Sequence, residues 1–213
     1  MLLGRGEGDI ASLNGLTRTL SNVDVTKENG QDVWNFKGSP TSFVKIKGSM
    51  PFKSFTTGCF QWKERTEVSI IWAWYSAPGS YGTHFYIAPD GRVSTNLFDL
   101  RKTSKWFHTT AKVPAKKWVF VGMSYDHTNG NLLIWEDDQV TAHKAGVRDI
   151  DSTGDFYIGI FGRAPTWQNP FRGKIRGLSI QDGPITKDQI SSFKQQTIEY
   201  LEAKEGRFWL HYG

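Results

Sequence analysis

Residues 118–140, which read WVFVGMSYDHTNGNLLIWEDDQV, constrain the fold more than any other stretch of the chain. Apolar and polar residues alternate on both sides of the polar segment Asp126 to Gly130, and a second tight turn follows at Asp137-Asp138. Alternation with a period of two is typical of β-strands, and Asn-Gly between two such runs is a strong hairpin signal. The stretch therefore predicts consecutive antiparallel strands joined by tight turns.

Other parts of the chain show the same pattern. THFYIAPDGRVSTNLF predicts a hairpin that turns at Pro89-Asp90-Gly91, where Pro and Gly supply the required backbone angles. A helix is predicted from Thr186 to about Ala203, because Thr186 is a suitable N-cap with Asp188 and Gln189 close behind it. The end of the chain, from Arg207 to Tyr212, alternates again and predicts a terminal strand. Since there is no repeat, low-complexity tract or linker, residues 1–213 are predicted to form one domain.

The run from Trp118 to Ile190 resembles the C-terminal half of laminin G-like and pentraxin-like domains of the concanavalin A-like lectin superfamily. Asp137-Asp138 replaces the Asp-Gly that is usual in the family. The N-terminal segments GDI, NGL and VWNFKGS resemble the first strands of laminin G-like modules. The resemblance implies an all-β jelly-roll sandwich of two antiparallel sheets with a short C-terminal helix. It is carried by Trp118, Tyr125, Asp126, Gly130, Leu132, Trp135, Ile158, Gly159, Phe171, Gly173, Ile175, Leu178, Ile180, Thr186, Gln189 and Ile190.

Composition limits the setting in which the chain works. The single cysteine, Cys59, excludes an internal disulfide and predicts a buried, inert thiol in a strand. The first ten residues lack an apolar core long enough for a signal peptide, and no stretch approaches the length of a membrane span. We therefore predict no membrane insertion, and an extracellular or cell-surface location only as a domain of a larger protein. Nothing in the sequence indicates nucleic-acid binding.

A basic segment, LRKTSKWFHTTAKVPAKKW, is the first candidate binding site. It carries Trp106 and six cations with no acid between them. Such a patch can pair with the sulfates and carboxylates of a glycosaminoglycan-like glycan while an indole stacks on a sugar face. The alternative is a solvated loop that leads into the buried strand at Trp118. The cations are Arg101, Lys102, Lys105, Lys112, Lys116 and Lys117.

The strand IIWAWY is the second candidate. Trp72 and Trp74 share one face of it, because side chains alternate along a strand. Two adjacent indoles on an open face would form a platform for stacking sugars. The alternative is that both rings are buried beneath loops or a helix.

Calcium is the third candidate, because related domains often bind it through carboxylates and carbonyls. This hard cation needs six or more oxygen ligands. The segments where the family sites would fall, FGRAPTWQN and Tyr81 to His84, contain no acid. We therefore predict, as another possible calcium site, Asp9 together with Asp182, since the N-terminal segment and the end of the last long strand are often neighbours in jelly rolls.

The function predicted from these features is a non-catalytic recognition or adhesion module that binds a glycan, such as an anionic glycosaminoglycan-like chain, or an extracellular protein. One alternative is a polysaccharide hydrolase or lyase on the same fold, for which Arg65, Glu67, His84 and a tyrosine would have to meet in one cleft. The paired carboxylates of a glycosidase strand are missing, and the five histidines are scattered. A second alternative is a structural domain that forms homo-oligomers.

Overall fold

A computed structural model describes residues 2–3, 12–13, 16–48, 52–64, 67–75, 82–101, 103–151, 154–161, 169–202 and 209–211. Within these ranges the chain is built almost entirely of strands, with one α-helix near its C-terminus. That helix is too short and too polar to cross a membrane.

The strands follow the alternating segments of the sequence. They are β1 (Leu2–Leu3), β2 (Ser12–Leu13), β3 (Leu16–Ser21), β4 (Val23–Glu28), β5 (Gln31–Lys37), β6 (Phe43–Lys47), β7 (Phe55–Lys63), β8 (Ser69–Trp74), β9 (His84–Ile87), β10 (Val93–Phe98), β11 (Ser104–His108), β12 (Val119–Asp126), β13 (Asn131–Glu136), β14 (Gln139–Lys144), β15 (Phe156–Ile158), β16 (Arg172–Asp182) and β17 (Trp209–His211). A 3-10 turn (Lys187–Gln189) leads into the helix α1 (Ile190–Glu202). The predicted hairpins, helix and terminal strand are confirmed.

The strands form two sheets. Sheet A has the order β1-β17-β16-β7-β12-β13-β14, with β5 also paired to β16 and β4 to β5. Sheet B has the order β11-β10-β9-β8-β15-β6-β3-β2. Among the described strands, every pair is antiparallel except that of β16 with β17. The predicted fold, a jelly-roll sandwich of two antiparallel sheets with one C-terminal helix, is confirmed.

The main core lies between the sheets and is rich in aromatic rings. The ring centroids of Phe55 and Trp74 are 4.9 Å apart and nearly perpendicular, and those of Trp72 and Phe156 are 5.5 Å apart and stacked. Such pairs stabilise a core by about 0.5–1.5 kcal/mol each beyond the burial of their area. Cys59 belongs to the same core, and burial raises the pKa of its thiol. The prediction of a buried cysteine is therefore confirmed.

The hypothesis that Trp72 and Trp74 form an exposed stacking platform is wrong. Their side chains are 1% and 0% exposed, because β8 lies within sheet B and the face that carries both rings points toward sheet A. The pairing of β8 with β9 is irregular between Ile70 and Trp72, so that Ile70 and Ala73 belong instead to a separate cluster on the outer side. The rings are buried, as the alternative expected, between the two sheets, and Phe52 of the segment before β7 also packs against Trp74.

The helix covers the outer face of sheet A. Thr186 and Gln189 form a capping box at its start, and Phe193 packs against Phe120 with ring centroids 6.0 Å apart. Gly58 makes this approach possible, because a Cβ atom there would lie 2.8 Å from the Phe193 ring and 2.9 Å from the Phe120 ring. The outer side of sheet A at this point is therefore a second, smaller core.

Candidate functional site

The outer face of sheet B has no described helix over it. Strands β8 to β11 project side chains from this face around a cavity of about 350 Å³, which we call the hollow. Its volume falls in the range of small-molecule binding sites, about 300–1,000 Å³. The described residues that line the hollow are Val68, Ile70, His84, Tyr86, Asn96, Phe98, Ser104, Trp106, Phe161 and Asn169.

Strand register sets the centre of the hollow. Asn96 on β10 is paired with His84 on β9 and, on its other side, with Trp106 on β11. Residues directly opposite each other in antiparallel strands point to the same face, with Cβ atoms about 5 Å apart. The three side chains therefore form one row across three strands.

Aromatic rings form the walls of the hollow. Trp106 is 52% exposed, and its ring centroid lies 5.2 Å from that of His84 and 5.9 Å from that of Tyr86, in edge-to-face arrangements. The Phe161 ring lies 4.4 Å from His84 and stacks on Tyr75. The contacts with His84 and Tyr86 hold the Trp106 indole in place while about half of its side chain stays open to solvent.

His84 is an uncharged hydrogen-bonding group in this setting. Its side chain is buried, and burial lowers the pKa of the imidazole to about 4. Its Nδ1 lies 3.2 Å from the carbonyl oxygen of Gly82. Because that oxygen can only accept a hydrogen bond, Nδ1 carries the proton and Nε2 is an acceptor.

Asn96 contributes a second acceptor. Its side chain is 3% exposed, and its Oδ1 is buried without a hydrogen-bond partner. The described lining residues include no Asp, Glu, Lys or Arg. Burial also raises the pKa of the Tyr86 hydroxyl, which therefore stays protonated at neutral pH. The described lining is thus a neutral surface with an exposed indole, two acceptor atoms and the polar side chains of Tyr86, Ser104 and Asn169.

A family model of laminin G type, from the concanavalin A-like lectin/glucanases superfamily, matches residues 53–191, more than half of the chain. The chain belongs to this superfamily. The resemblance found in the sequence is therefore confirmed. No curated protein sequence matches the chain.

Solved structures share the fold of this superfamily member. The binding domain of botulinum neurotoxin serotype G has a TM-score of 0.68 and 16% identity, over 91% of this chain and 50% of that one. A heptameric SAP-like pentraxin from Limulus polyphemus has a TM-score of 0.63 and 13% identity, over 78% of this chain and 82% of that one. Domain 4 of AbnA, an extracellular arabinanase from Geobacillus stearothermophilus, was solved with arabinotriose. It has a TM-score of 0.63 and 15% identity, over 87% of this chain and 89% of that one. The chain spans only half of the neurotoxin domain. Sequence identities this low show a shared fold and nothing more.

In the basic segment predicted from the sequence, Lys105 and Trp106 face opposite sides of β11. Lys105 lies on the other side of β11, where its Nζ is 5.4 Å from the Phe107 ring centroid and donates a hydrogen bond of 3.4 Å to the carbonyl oxygen of Lys144. Lys102 lies outside the described residues. Binding of an anionic glycan by these cations stays a prediction. The other cations are exposed on the segments before and after β11: Arg101, Lys112, Lys116 and Lys117.

The predicted calcium ligands are only partly within the described structure. Asp182 is exposed at the end of β16, whereas Asp9 lies outside the described residues. Within the described ranges no three His, Cys, Asp or Glu side chains come together as a metal site. One carboxylate supplies too few oxygens for calcium, so the described residues do not form the site by themselves. Calcium binding stays a prediction.

From the sequence, His84 was expected either as one of five scattered histidines or in a catalytic cleft with Arg65, Glu67 and a tyrosine, and Asn96 was not singled out. The sequence nevertheless contained a signal for the pairing of these two residues. In the hairpin that turns at Pro89-Asp90-Gly91, alternation places His84 and Tyr86 on one face of β9, and the turn sets the register that brings Asn96 beside His84. That this face is open to solvent could not be read from the hairpin alone.

Proposed function

We propose that this chain is a non-catalytic carbohydrate-binding module that holds a glycan in the hollow of sheet B. The observation that carries the proposal is the row of His84, Asn96 and Trp106, in which a half-exposed indole stands beside two hydrogen-bonding side chains. The superfamily and the similar binding domains, one of them solved with arabinotriose, support it.

The chemistry of a sugar fits this arrangement. One face of a pyranose or furanose ring presents C–H groups, and the edge of the ring carries hydroxyl groups. The C–H face can pack on the Trp106 indole, which the contacts to His84 and Tyr86 hold in a fixed orientation. The hydroxyl groups then reach the polar side chains beside it. A pre-oriented ring loses little conformational freedom on binding, which favours affinity.

The test is a glycan array followed by isothermal titration calorimetry with the strongest ligand. Trp106→Ala is expected to weaken binding at least about 30-fold, which corresponds to about 2 kcal/mol for a central aromatic contact. Trp62→Ala is the matched control, because Trp62 is a half-buried indole on sheet A that contacts Lys174 and lies away from the hollow. Equal affinities of the Trp106→Ala variant and the wild type would refute the proposal.

An enzyme on this fold is the alternative. A glycosidase needs two carboxylates beside the scissile bond, but Glu67 is exposed and is not among the described residues that line the hollow. Arg65 lies outside the described residues. The assay is release of new reducing ends or unsaturated products from the glycans that bind. We expect none, and turnover that disappears in Glu67→Gln would favour the enzyme.

We further propose that the module works outside the cell or at its surface, as part of a larger protein. The similar pentraxin is heptameric and AbnA is extracellular, which supports this setting and leaves room for a homo-oligomer. Size-exclusion chromatography with light scattering measures the oligomeric state directly.

A further inference from the structure

Two acceptors belong to side chains that line the hollow, and this property restricts the ligand. Asn96 Oδ1 is buried and unpaired. Leaving a buried carbonyl oxygen without a donor lowers the stability of a folded protein, and native proteins contain few such atoms. A ligand that brings a donor to Asn96 would relieve this cost, so the unpaired oxygen points to an O–H or N–H donor on the bound molecule.

His84 adds a second acceptor on the neighbouring strand. With Nδ1 donating to the carbonyl oxygen of Gly82, Nε2 presents a lone pair. The pKa of about 4 keeps the ring neutral throughout the physiological range. Within the described structure, no protein group donates a hydrogen bond to Nε2. A second hydroxyl donor can therefore pair with His84 while the first pairs with Asn96.

The same two acceptors disfavour anions. A carboxylate or sulfate has no proton to donate, so it cannot pair with Asn96 Oδ1 or His84 Nε2, and the donors of the described lining, such as the Ser104 hydroxyl, are uncharged. The described lining contains no Lys or Arg to compensate. Moving an anion from water into a site without a cation carries a large desolvation cost. Uronic acids, sialic acids and sulfated sugars are therefore expected to bind poorly.

We infer that the ligand of the hollow is a neutral glycan whose hydroxyl groups donate hydrogen bonds to Asn96 Oδ1 and His84 Nε2. The inference rests on the proposed function, since it names the ligand class and the two polar contacts of the same site. It also departs from the anionic ligand expected from the basic segment, because Trp106 and Lys105 face opposite sides of β11.

The experiment uses an array of matched glycan pairs that differ only in a hydroxymethyl or carboxylate group, such as oligomers of glucose and of glucuronic acid. The strongest neutral ligand and its acidic partner are then titrated against the wild type. We expect the neutral member to bind at least tenfold more tightly. If the acidic member binds equally well or better and Trp106→Ala still abolishes binding, the inference is overturned while the proposed function stands.

Two substitutions test the acceptors. Asn96→Leu keeps the approximate shape of the side chain but removes the acceptor oxygen. We therefore expect the affinity for the glycan to fall about 5- to 30-fold, while the melting temperature stays the same or rises. His84→Phe keeps a ring against Phe161 and removes Nε2, with a similar expected loss. Asn131→Leu, on sheet A, is the control and should bind like the wild type.

The outcomes separate the two claims. Unchanged affinity in both Asn96→Leu and His84→Phe would overturn the acceptor roles. The proposed function would instead be overturned if no glycan bound, or if Trp106→Ala bound the glycan as tightly as the wild type.

Discussion

Lys63, the last residue of β7, allows a quantitative test of the electrostatics of the sandwich. Its side chain is fully buried and its Nζ has no hydrogen-bond partner. The carboxylates of Glu67 and Asp90 act on it only at a distance and raise its pKa less than burial lowers it. The net result is a pKa of about 8 in place of the ordinary value of 10.5. We predict that Lys63→Met stabilises the protein at neutral pH.

The magnitude follows from the two pKa values. Below pH 8 the lysine is charged in both the folded and the unfolded chain, and the difference between 10.5 and about 8 corresponds to a destabilisation of about 3 kcal/mol. As the pH rises from 8 to 10.5 the folded state releases its proton first, so this cost is relieved and the wild type gains stability. Methionine has a similar length and no charge. It should therefore raise the free energy of unfolding by about 1–3 kcal/mol at pH 7.

The assay is urea denaturation followed by tryptophan fluorescence at pH 7, 9 and 10. The difference between Lys63→Met and the wild type is expected to be largest at pH 7 and to shrink toward pH 10. Tyrosine ionisation affects both proteins and cancels in this difference. Lys117→Met, at an exposed lysine, is the control and should stay within about 0.5 kcal/mol of the wild type. A Lys63→Met protein that is less stable than the wild type at pH 7 would refute the reasoning, because it would mean that the ammonium group has a favourable partner.

Three further predictions follow from the site and from the sequence. Burial lowers the pKa of His84 in the folded state to about 4 from 6.5, so the free energy of unfolding should be highest above pH 6.5 and fall by up to about 3 kcal/mol as the pH drops to 4. In urea denaturation, His84→Phe should remove this part of the pH dependence, and an unchanged pH dependence would contradict the lowered pKa. If calcium binds at Asp9 and Asp182, a chelator should lower the melting temperature of the wild type but not of Asp182→Asn; equal melting curves with and without chelator would exclude the site. If the basic segment binds anionic glycans, heparin affinity chromatography should show salt-dependent retention that is lost when alanine replaces Lys102, Lys105, Lys112, Lys116 and Lys117. Flow-through of the wild type at low ionic strength would exclude such binding.

Local sequence patterns were sufficient to predict most of the architecture. The hairpin of β12 and β13, the hairpin of β9 and β10 and the helix α1 each depend on turn or cap residues next to a periodic segment, and all three formed where the pattern placed them. Such elements are predictable because neighbouring residues supply both the turn and the register.

The candidate site was much less predictable, and the tryptophans show why. Trp72 and Trp74 are buried between the sheets, whereas Trp106 is half exposed, although all three lie in strands. Alternation states which side chains share a face but not what lies against that face. The irregular pairing between Ile70 and Trp72 also breaks the simple alternation that the strand IIWAWY suggests.

The sequence alone therefore determined the strands, turns and capped helix, which short-range periodicity encodes, and its resemblance to laminin G-like and pentraxin-like domains implied the two-sheet sandwich. Only the tertiary structure decided which faces of the strands are covered and which stay open. Packing of α1 through Phe193 closes the outer face of sheet A, and the pairing of β9, β10 and β11 brings His84, Asn96 and Trp106 into one row on the open face of sheet B. The physical reason is that a period of two creates two faces on every strand, and only contacts between segments distant in sequence determine which face is covered.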